Sequence, residues 1–293
     1  MGVRTTPCRA VKTMNPTFSF ELFPPKTEKG MQKLQRQQVP LLQELGPEFF
    51  SVTYGAGGST QVQTFATVDW LVSQGIEVAP HLSCIGASRE QIGGILDRYR
   101  DQGVTRLVAL RGDIPSGMGD YGEFRYANEL VSFIREHSGE HFHIEVAAYP
   151  EFHPQAASAK DDERAFTIKA AAGANSAITQ YFYNADAYFA FVDDCTRLGI
   201  DIPIVPGIMP ITNYQQLSRF SDACGAEIPR WIRKRLESHG DDLDAIRDFG
   251  TDVVSTLCQR LLDGGAPGLH FYTMNQAAPT IAIWKNLDLP VPA

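Results

Sequence analysis

The segment RLVALRGDIPSG, Arg106 to Gly117, begins as an apolar run and then sets a cation and an anion, Arg111 and Asp113, on either side of a glycine. Two opposite charges just past a strand of buried type raise the question of what, other than packing, places them there. A second signal is Glu21 in FSFELFPP, flanked by Phe18, Phe20, Phe23 and two prolines. Apolar surroundings disfavour an ionised carboxylate, and a carboxylic acid that keeps its proton can donate it near neutral pH. The competing reading of Glu21 is a structural carboxylate bonded to backbone or to an arginine. TYGAGGST, 53 to 60, offers Gly57 and Gly58 for close approach of a ligand and Ser59 or Thr60 as a helix cap, and a plain capped loop accounts for it equally well. GMGDYG, 117 to 122, satisfies G-x-G-x-x-G literally, but it lies past the strand and after Pro115, so it is read as a chance match.

Groups of this kind need strands to hold them. Short β-rich runs recur along the chain: FSFELF (18–23), FFSVTY (49–54), EVAPHL (77–82), RLVAL (106–110), HIEVAAY (143–149), AITQYF (177–182), IPIVPGI (202–208) and GLHFYT (268–273). Between them lie segments with apolar residues at helical spacing, such as Leu34, Leu41, Leu42 and Leu45, then Ile92, Ile95, Leu96 and Tyr99. This α/β alternation predicts a parallel sheet, and eight βα units close into a (β/α)8 TIM barrel, with a doubly wound open sheet as the competing architecture. Ile211 to Asp263 is too long for one helix, so the seventh unit is expected to carry an extra helix around IPRWIRKRLESHG. Without a linker-like stretch, the chain reads as an N-terminal extension, 1–17, and one barrel domain, 18–293. Barrel active sites form where strands end. Glu21, Thr53, His81, Arg111 with Asp113, Tyr149, Gln180 and Tyr272 with Asn275 stand at or just beyond seven of the eight run ends.

Composition narrows the function classes. Hydrophobic residues at 43%, charged at 20% and aromatic at 10% describe an ordinary globular chain. A formal net charge of -8 opposes a polyanion, and the one basic cluster, Arg230 to Arg235, is short and read as a helix face, so no nucleic-acid partner is expected. Five cysteines (8, 84, 195, 224, 258) are odd in number and lack any C-x-x-C pair, which suggests neither a disulfide framework nor a metal site. His141 and His143 read as a solvated turn before a strand. With no apolar run of spanning length and no export signal, no membrane partner is expected and the location is expected to be cytoplasmic.

Taken in order, SFELFPPK, SVTYGAGGST, PHLSC, ALRGD, EVAAYPEFHP, AGANSAITQYFYN, PGIMPITN and HFYTMNQ resemble the bacterial 5,10-methylenetetrahydrofolate reductases from about Phe18 to the last strand and helix. The resemblance implies a (β/α)8 barrel with non-covalent FAD. That enzyme takes a hydride from NADH or NADPH as co-substrate and passes it to 5,10-methylenetetrahydrofolate by a ping-pong scheme, giving the 5-methyl form that feeds methionine synthesis. It further implies that Glu21 protonates N10, that Asp113 lies near the flavin pyrimidine edge and the folate, and that Gln180 orients folate and nicotinamide while Phe220 stacks on either. As FAD contacts it brings His81, Leu110, Arg111, Gly112, Asp113, Tyr126, Ala127, Ala147, Tyr149, His153, Asp162, Ala165 and Lys169, with His153 and Lys169 suiting the pyrophosphate. Thr53, Gln216 and Tyr272 follow as substrate contacts, and homo-oligomeric assembly as the expected state.

Two departures stand out. Leu22 replaces a phenylalanine common in bacterial members, an apolar swap, and Gln276 replaces an arginine. A neutral amide cannot form the bidentate ion pair of a guanidinium, which puts the folate-tail contact at Gln276 in question. A sequence ending at Ala293 is expected to lack the regulatory domain of the animal enzymes and feedback by S-adenosylmethionine. Two other readings compete: another flavin barrel such as a proline dehydrogenase, whose arginine pair on a final helix is missing here, and a flavin or folate carrier, which has no need of Glu21 and Asp113.

Overall fold

A computed structural model describes residues 16–54, 58–112 and 122–291. The strands are β1 (Thr17–Leu22), β2 (Phe49–Val52), β3 (Val78–Ser83), β4 (Arg106–Leu110), β5 (His143–Ala148), β6 (Ser176–Thr179), β7 (Ile204–Val205), β8 (Gly207–Ile208) and β9 (Gly268–Tyr272). All pair in parallel in one sheet, ordered β7-β6-β5-β4-β3-β2-β1-β9-β8. First and last strands are thus neighbours, and the sheet curls into a nearly closed barrel. β1 takes in Thr17, whose N–H donates to Pro267 O at 3.1 Å, so the barrel starts one residue earlier than the patterning suggested. Residues 1–15 of the expected extension lie outside the described residues, and no helix among those described is long and apolar enough to cross a membrane.

The run IPIVPGI does not form one strand. Pro206 has no N–H to give to a ladder, so the strand breaks there into β7, which pairs with β6, and β8, which pairs with β9. The break is sewn shut by side-chain and backbone bonds: Gly207 N–H donates to Thr179 Oγ1 (2.9 Å), His270 N–H to Pro206 O (3.0 Å), and the Tyr272 hydroxyl to Thr179 O (2.7 Å). Gly207 makes the last of these possible, because a Cβ there would sit 2.6 Å from the Tyr272 ring and closer still to Thr179 O.

Helices α1 (Glu28–Lys33) and α2 (Val39–Gln43) are joined by a π-helix, Leu34–Gln38. A π-turn advances the buried face by one residue. Leu34, Val39, Leu42 and Leu45 are therefore buried while Leu41, which the heptad-like spacing put in the core, is 41% exposed. There follow α3 (Gly58–Ser73), α4 (Arg89–Asp101), α5 (Ala127–Ser138), α6 (Ala159–Ala171), α7 (Ala185–Arg197), α8 (Tyr214–Cys224), α9 (Arg230–Ser238), α10 (Leu243–Asp263) and α11 (Ala277–Asn286). The seventh unit holds α9 over RWIRKRLES as expected, and α8 before it as a second addition ahead of α10. The main core lies between sheet and helices, where Phe20, Leu22, Phe50, Val52, Leu107, Ile144, Val146 and Phe271 are almost wholly shielded. Each such side chain contributes about 1.5–3 kcal/mol of burial.

At the N-terminal mouth, Arg106 pairs with Glu48 and with buried Glu145 (2.7 Å), and its guanidinium lies 4.4 Å over the Phe49 ring. Burial pushes the Glu145 carboxyl upward, but hydrogen bonds from His143 and Ser176 and the Arg106 charge outweigh it and hold the carboxyl below its ordinary range. His143 is thus a member of this network rather than part of a solvated turn.

Gly207→Ala should destabilise by about 3 kcal/mol or more, since the colliding atoms are backbone and a pinned ring. The control Gly240→Ala, at φ +55° with nothing near its Cβ position, should lose only about 1–2 kcal/mol. Urea unfolding of both would check this, and equal losses would remove the closure argument.

Candidate active site

Glu21 sits near the C-terminal end of β1, with Ser51 and Tyr272 as register neighbours. It is 5% exposed. Its chain neighbours do not make its surroundings, because alternate strand residues face opposite sides: Phe20 and Leu22 pack against helices. Glu21 enters the lumen, where Oε2 lies 3.4 Å from His81 Nε2 and 4.0 Å from His270 Nε2. The apolar pocket expected from FSFELFPP is thus replaced by two imidazoles.

Burial pushes the His81 imidazole down to about 4, against the opposing pull of the Glu21 charge and with a further lowering by His270, so the ring is neutral at physiological pH. Its Nε2 is buried and has no hydrogen-bond partner among the described residues; the approach to Glu21 lacks the geometry of one. His270 is fixed more firmly, with Nδ1 2.7 Å from Ser19 Oγ and Nε2 3.4 Å from Ser51 Oγ. Its ring stacks on Phe49. Phe49, Ala79, Val108 and Ile178, with Leu110 and Tyr272 against them, form an apolar layer across the lumen. Leu110 therefore serves first as packing. Tyr272 spends its hydroxyl on Thr179 O, and burial pushes its phenol well above the ordinary value, so the ring rather than the proton is what it can offer a ligand.

A second group gathers where β4, β5 and β6 end. Lys169 donates to Ala147 O (2.5 Å), His153 N–H to Asp162 Oδ2 (2.8 Å), and the Tyr149 and His153 rings meet edge to face at 4.6 Å. Asp162, Ala165 and Lys169 share one face of α6 by their i, i+3, i+7 spacing. Arg111 reaches across from β4 to Gln155 Oε1, and its own carbonyl accepts from Ile85 N–H and Ser83 Oγ. Gly112 adopts φ +88°, and its Cβ position is occupied by the Ser83 side chain, so no other residue fits that turn. Gln180 Oε1 accepts from Tyr181 N–H (3.0 Å), leaving its NH2 group as the donor to offer. Gln180 and Tyr149 line one cleft with Glu151, Phe152 and Cys224. On α8, Gln216 and Phe220 share a face, and Phe220 is 39% exposed.

The remaining expected positions are less gathered. Thr53 extends β1 pairing by donating its N–H to Leu22 O (3.0 Å). Tyr126 and Ala127 start α5, with Tyr126 59% exposed and its carbonyl beside Cys84 Sγ. Gln276 is exposed and engaged through its backbone N–H to Thr273 O. Asp113 lies outside the described residues, as do Gly57 and most of GMGDYG. Sequence reasoning missed Ser19, Ser51 and His270, although Ser19 shares strand parity with Glu21, Ser51 with Thr53 and His270 with Tyr272, and polar residues at lumen-facing parity were the available signal. The described residues hold no cluster of three or more His, Cys, Asp or Glu suited to a metal, and Cys84, Cys195, Cys224 and Cys258 are free thiols.

A profile of the family described as methylenetetrahydrofolate reductase matches residues 8–288. The chain is 38% identical over 272 residues to the 5,10-methylenetetrahydrofolate reductase of Escherichia coli (strain K12), covering 92% of this chain and 90% of that one. It is 37% identical over 286 residues to methylenetetrahydrofolate reductase (NADH) 1 of Arabidopsis thaliana, spanning 93% of this chain and 48% of the plant protein. In structure it resembles a Clostridium thermocellum protein that binds two copies of 5-methyl-5,6,7,8-tetrahydrofolic acid, with a TM-score of 0.68 over 94% of this chain and 96% of that one; at 16% identity this likeness speaks for the fold. With the barrel and its strand-end mouth, these matches show that the chain belongs to the methylenetetrahydrofolate reductase family, oxidoreductases of one-carbon folate metabolism.

Proposed function

We propose that the chain works as an FAD-dependent enzyme that takes reducing equivalents from NADH or NADPH, reduces 5,10-methylenetetrahydrofolate to 5-methyltetrahydrofolate, and serves both substrates in turn at one mouth. The observation that carries this reading is Glu21, a buried carboxyl in the lumen of a barrel whose adjoining strand ends offer a set of nitrogen donors. FAD fits that set: His81 Nε2 is buried without a hydrogen-bond partner among the described residues, Arg111 stands beside the narrow turn at Gly112, and the Lys169 ammonium and the His153 ring stand where β5 ends. The folate-binding Clostridium protein shares the fold, and the plant relative carries NADH in its name, which agree with these substrates. A cytoplasmic location and assembly of like chains belong to the same proposal.

When bound, FAD supplies the two-electron carrier between nicotinamide and folate. Arg111, Gly112, Leu110 and His81 would hold its ring system. His153 and Lys169 would hold the pyrophosphate, with Asp162 fixing the His153 backbone. Ala147, Tyr149, Ala165, Tyr126 and Ala127 would line the remainder. Asp113 would place an anion by the pyrimidine edge, which opposes negative charge there and favours a cationic folate. Gln180 would orient either substrate through its NH2 group, with Phe220 stacking and Thr53, Gln216, Tyr272 and Gln276 lining the folate side. Glu21 would hold a proton and deliver it to folate N10 as the five-membered ring opens. His81, kept neutral by burial, presents no competing cation to that carboxyl.

The purified protein should be yellow and should bind FAD in preference to FMN; a colourless protein that turns over and cannot be loaded with FAD would refute the flavin reading. Burial pushes the Lys169 ammonium down to about 8, with Asp162 pulling the other way. Below that pH the lysine is charged and ready for a phosphate. Above it, binding must first recapture a proton, so FAD affinity should fall by up to about tenfold per pH unit. Fluorescence titration should show this decline in the native protein and a flat profile in Lys169→Met; an equal slope in both would remove Lys169 from the site.

Glu21→Gln keeps shape but not the transferable proton. Anaerobic stopped-flow should show flavin reduction by NADH near the native rate while the folate half-reaction falls by roughly 10²-fold or more. Equal slowing of both halves would make Glu21 structural.

A further inference from the structure

No side-chain hydrogen bond among the described residues fixes the Glu21 carboxyl; the imidazoles approach it at 3.4 and 4.0 Å without bonding geometry. Its aim then depends on how firmly its backbone is held. The backbone at Glu21 and just beyond it is pinned by one turn, Thr273–Ala277. β1 and β9 stay in register as far as Glu21 and Tyr272. Beyond that, Thr273 Oγ1 donates to Glu21 O at 2.6 Å, and the Asn275 side chain imitates a strand partner of Phe23, accepting from its N–H (2.9 Å) and donating to its carbonyl (2.7 Å).

This arrangement is built against local preference. To bring Asn275 back across the seam, the chain takes φ +51° at Met274 and +56° at Asn275, the one place among the described residues where consecutive non-glycine residues are left-handed. That conformation is disfavoured for any residue with a Cβ, least so for asparagine. The turn is held from its far side as well: Ala277 N–H, the start of α11, donates to Gln38 Oε1 at 2.8 Å. Gln38 ends the π-helix, an uncommon geometry that sites of function often retain. A π-turn, two left-handed residues and a side-chain amide standing in for a strand all converge on the seam beside the acid.

We infer that Asn275 is a positioning residue for Glu21, locked in place by Gln38, so that the turn after the last strand sets the direction in which the acid meets its substrate. The inference rests on the role proposed for Glu21. A displacement of about 1 Å at a reacting group costs on the order of 10²-fold in rate, so a partial loss of aim should be visible.

Asn275→Gly keeps the left-handed turn and removes the clamp. In the FAD-loaded enzyme, the Phe23 amide should lose hydrogen-exchange protection. The folate half-reaction should slow by roughly tenfold, with flavin reduction by NADH within about twofold of native. Gln38→Leu should slow the same half-reaction, and Gln38→Glu, which still accepts from Ala277 N–H, should restore it; this pair decides the matter if Asn275→Gly fails to fold. In a Glu21→Gln background Asn275→Gly should add nothing, because the two act as one unit. Additive slowing there, equal slowing of both half-reactions, or lost Phe23 protection with an unchanged folate step would each overturn the inference. If Glu21→Gln alone leaves the folate step intact, it is the role of the acid that fails, a separate result from failure of the clamp.

Discussion

In a closed sheet of parallel strands every residue faces either the lumen or the helices, and the choice alternates along the strand. The chain uses this constraint to keep two chemistries apart. Phe20, Leu22, Phe50, Val52, Ile144 and Val146 go outward into the main core. Ser19, Glu21, Ser51, His81, Glu145, Ser176 and His270 go inward, and all are buried. A shift of one residue in β1 would send Glu21 into the helices and a phenylalanine into the lumen.

The lumen is layered as a result. Phe49 lies between the Arg106 guanidinium at the N-terminal mouth and the His270 ring above it. With Ala79, Val108 and Ile178 it separates the ion network of Arg106, Glu48 and Glu145 from the group around Glu21. The lower network is fully bonded and keeps its carboxylate charged. The upper one holds a neutral His81 and a carboxyl without fixed bonds, an arrangement suited to moving a proton rather than to holding one charge.

The strands and most of the mouth were legible in the sequence because β-rich runs ending in polar residues repeat, and Glu21, His81, Tyr149, Gln180 and Tyr272 stand at strand ends. What could not be read depended on events that cost a single residue. The break at Pro206 left the run IPIVPGI looking whole, and the π-turn moved Leu41 out and Val39 in. The surroundings of Glu21 carry no local signature, because adjacency in sequence is opposition in a strand. Lys169 to Ala147 O and Arg111 to Gln155 join residues far apart in the chain and carry no local signature.

The pairing of β1 with β9 also bears on how the chain reaches its fold. Ser19 meets His270 across 251 residues of sequence. Contacts this distant must wait for nearly the whole chain to be made, and the entropy of closing so long a loop is spent before they return anything. Until β9 arrives, β1 presents one open edge, with Phe18 and Phe20 beside a carboxylate that has no lumen to enter. β9 is therefore the last strand to join the sheet, and a nascent chain stalled before Gly268 would expose its first strand as a template for aggregation.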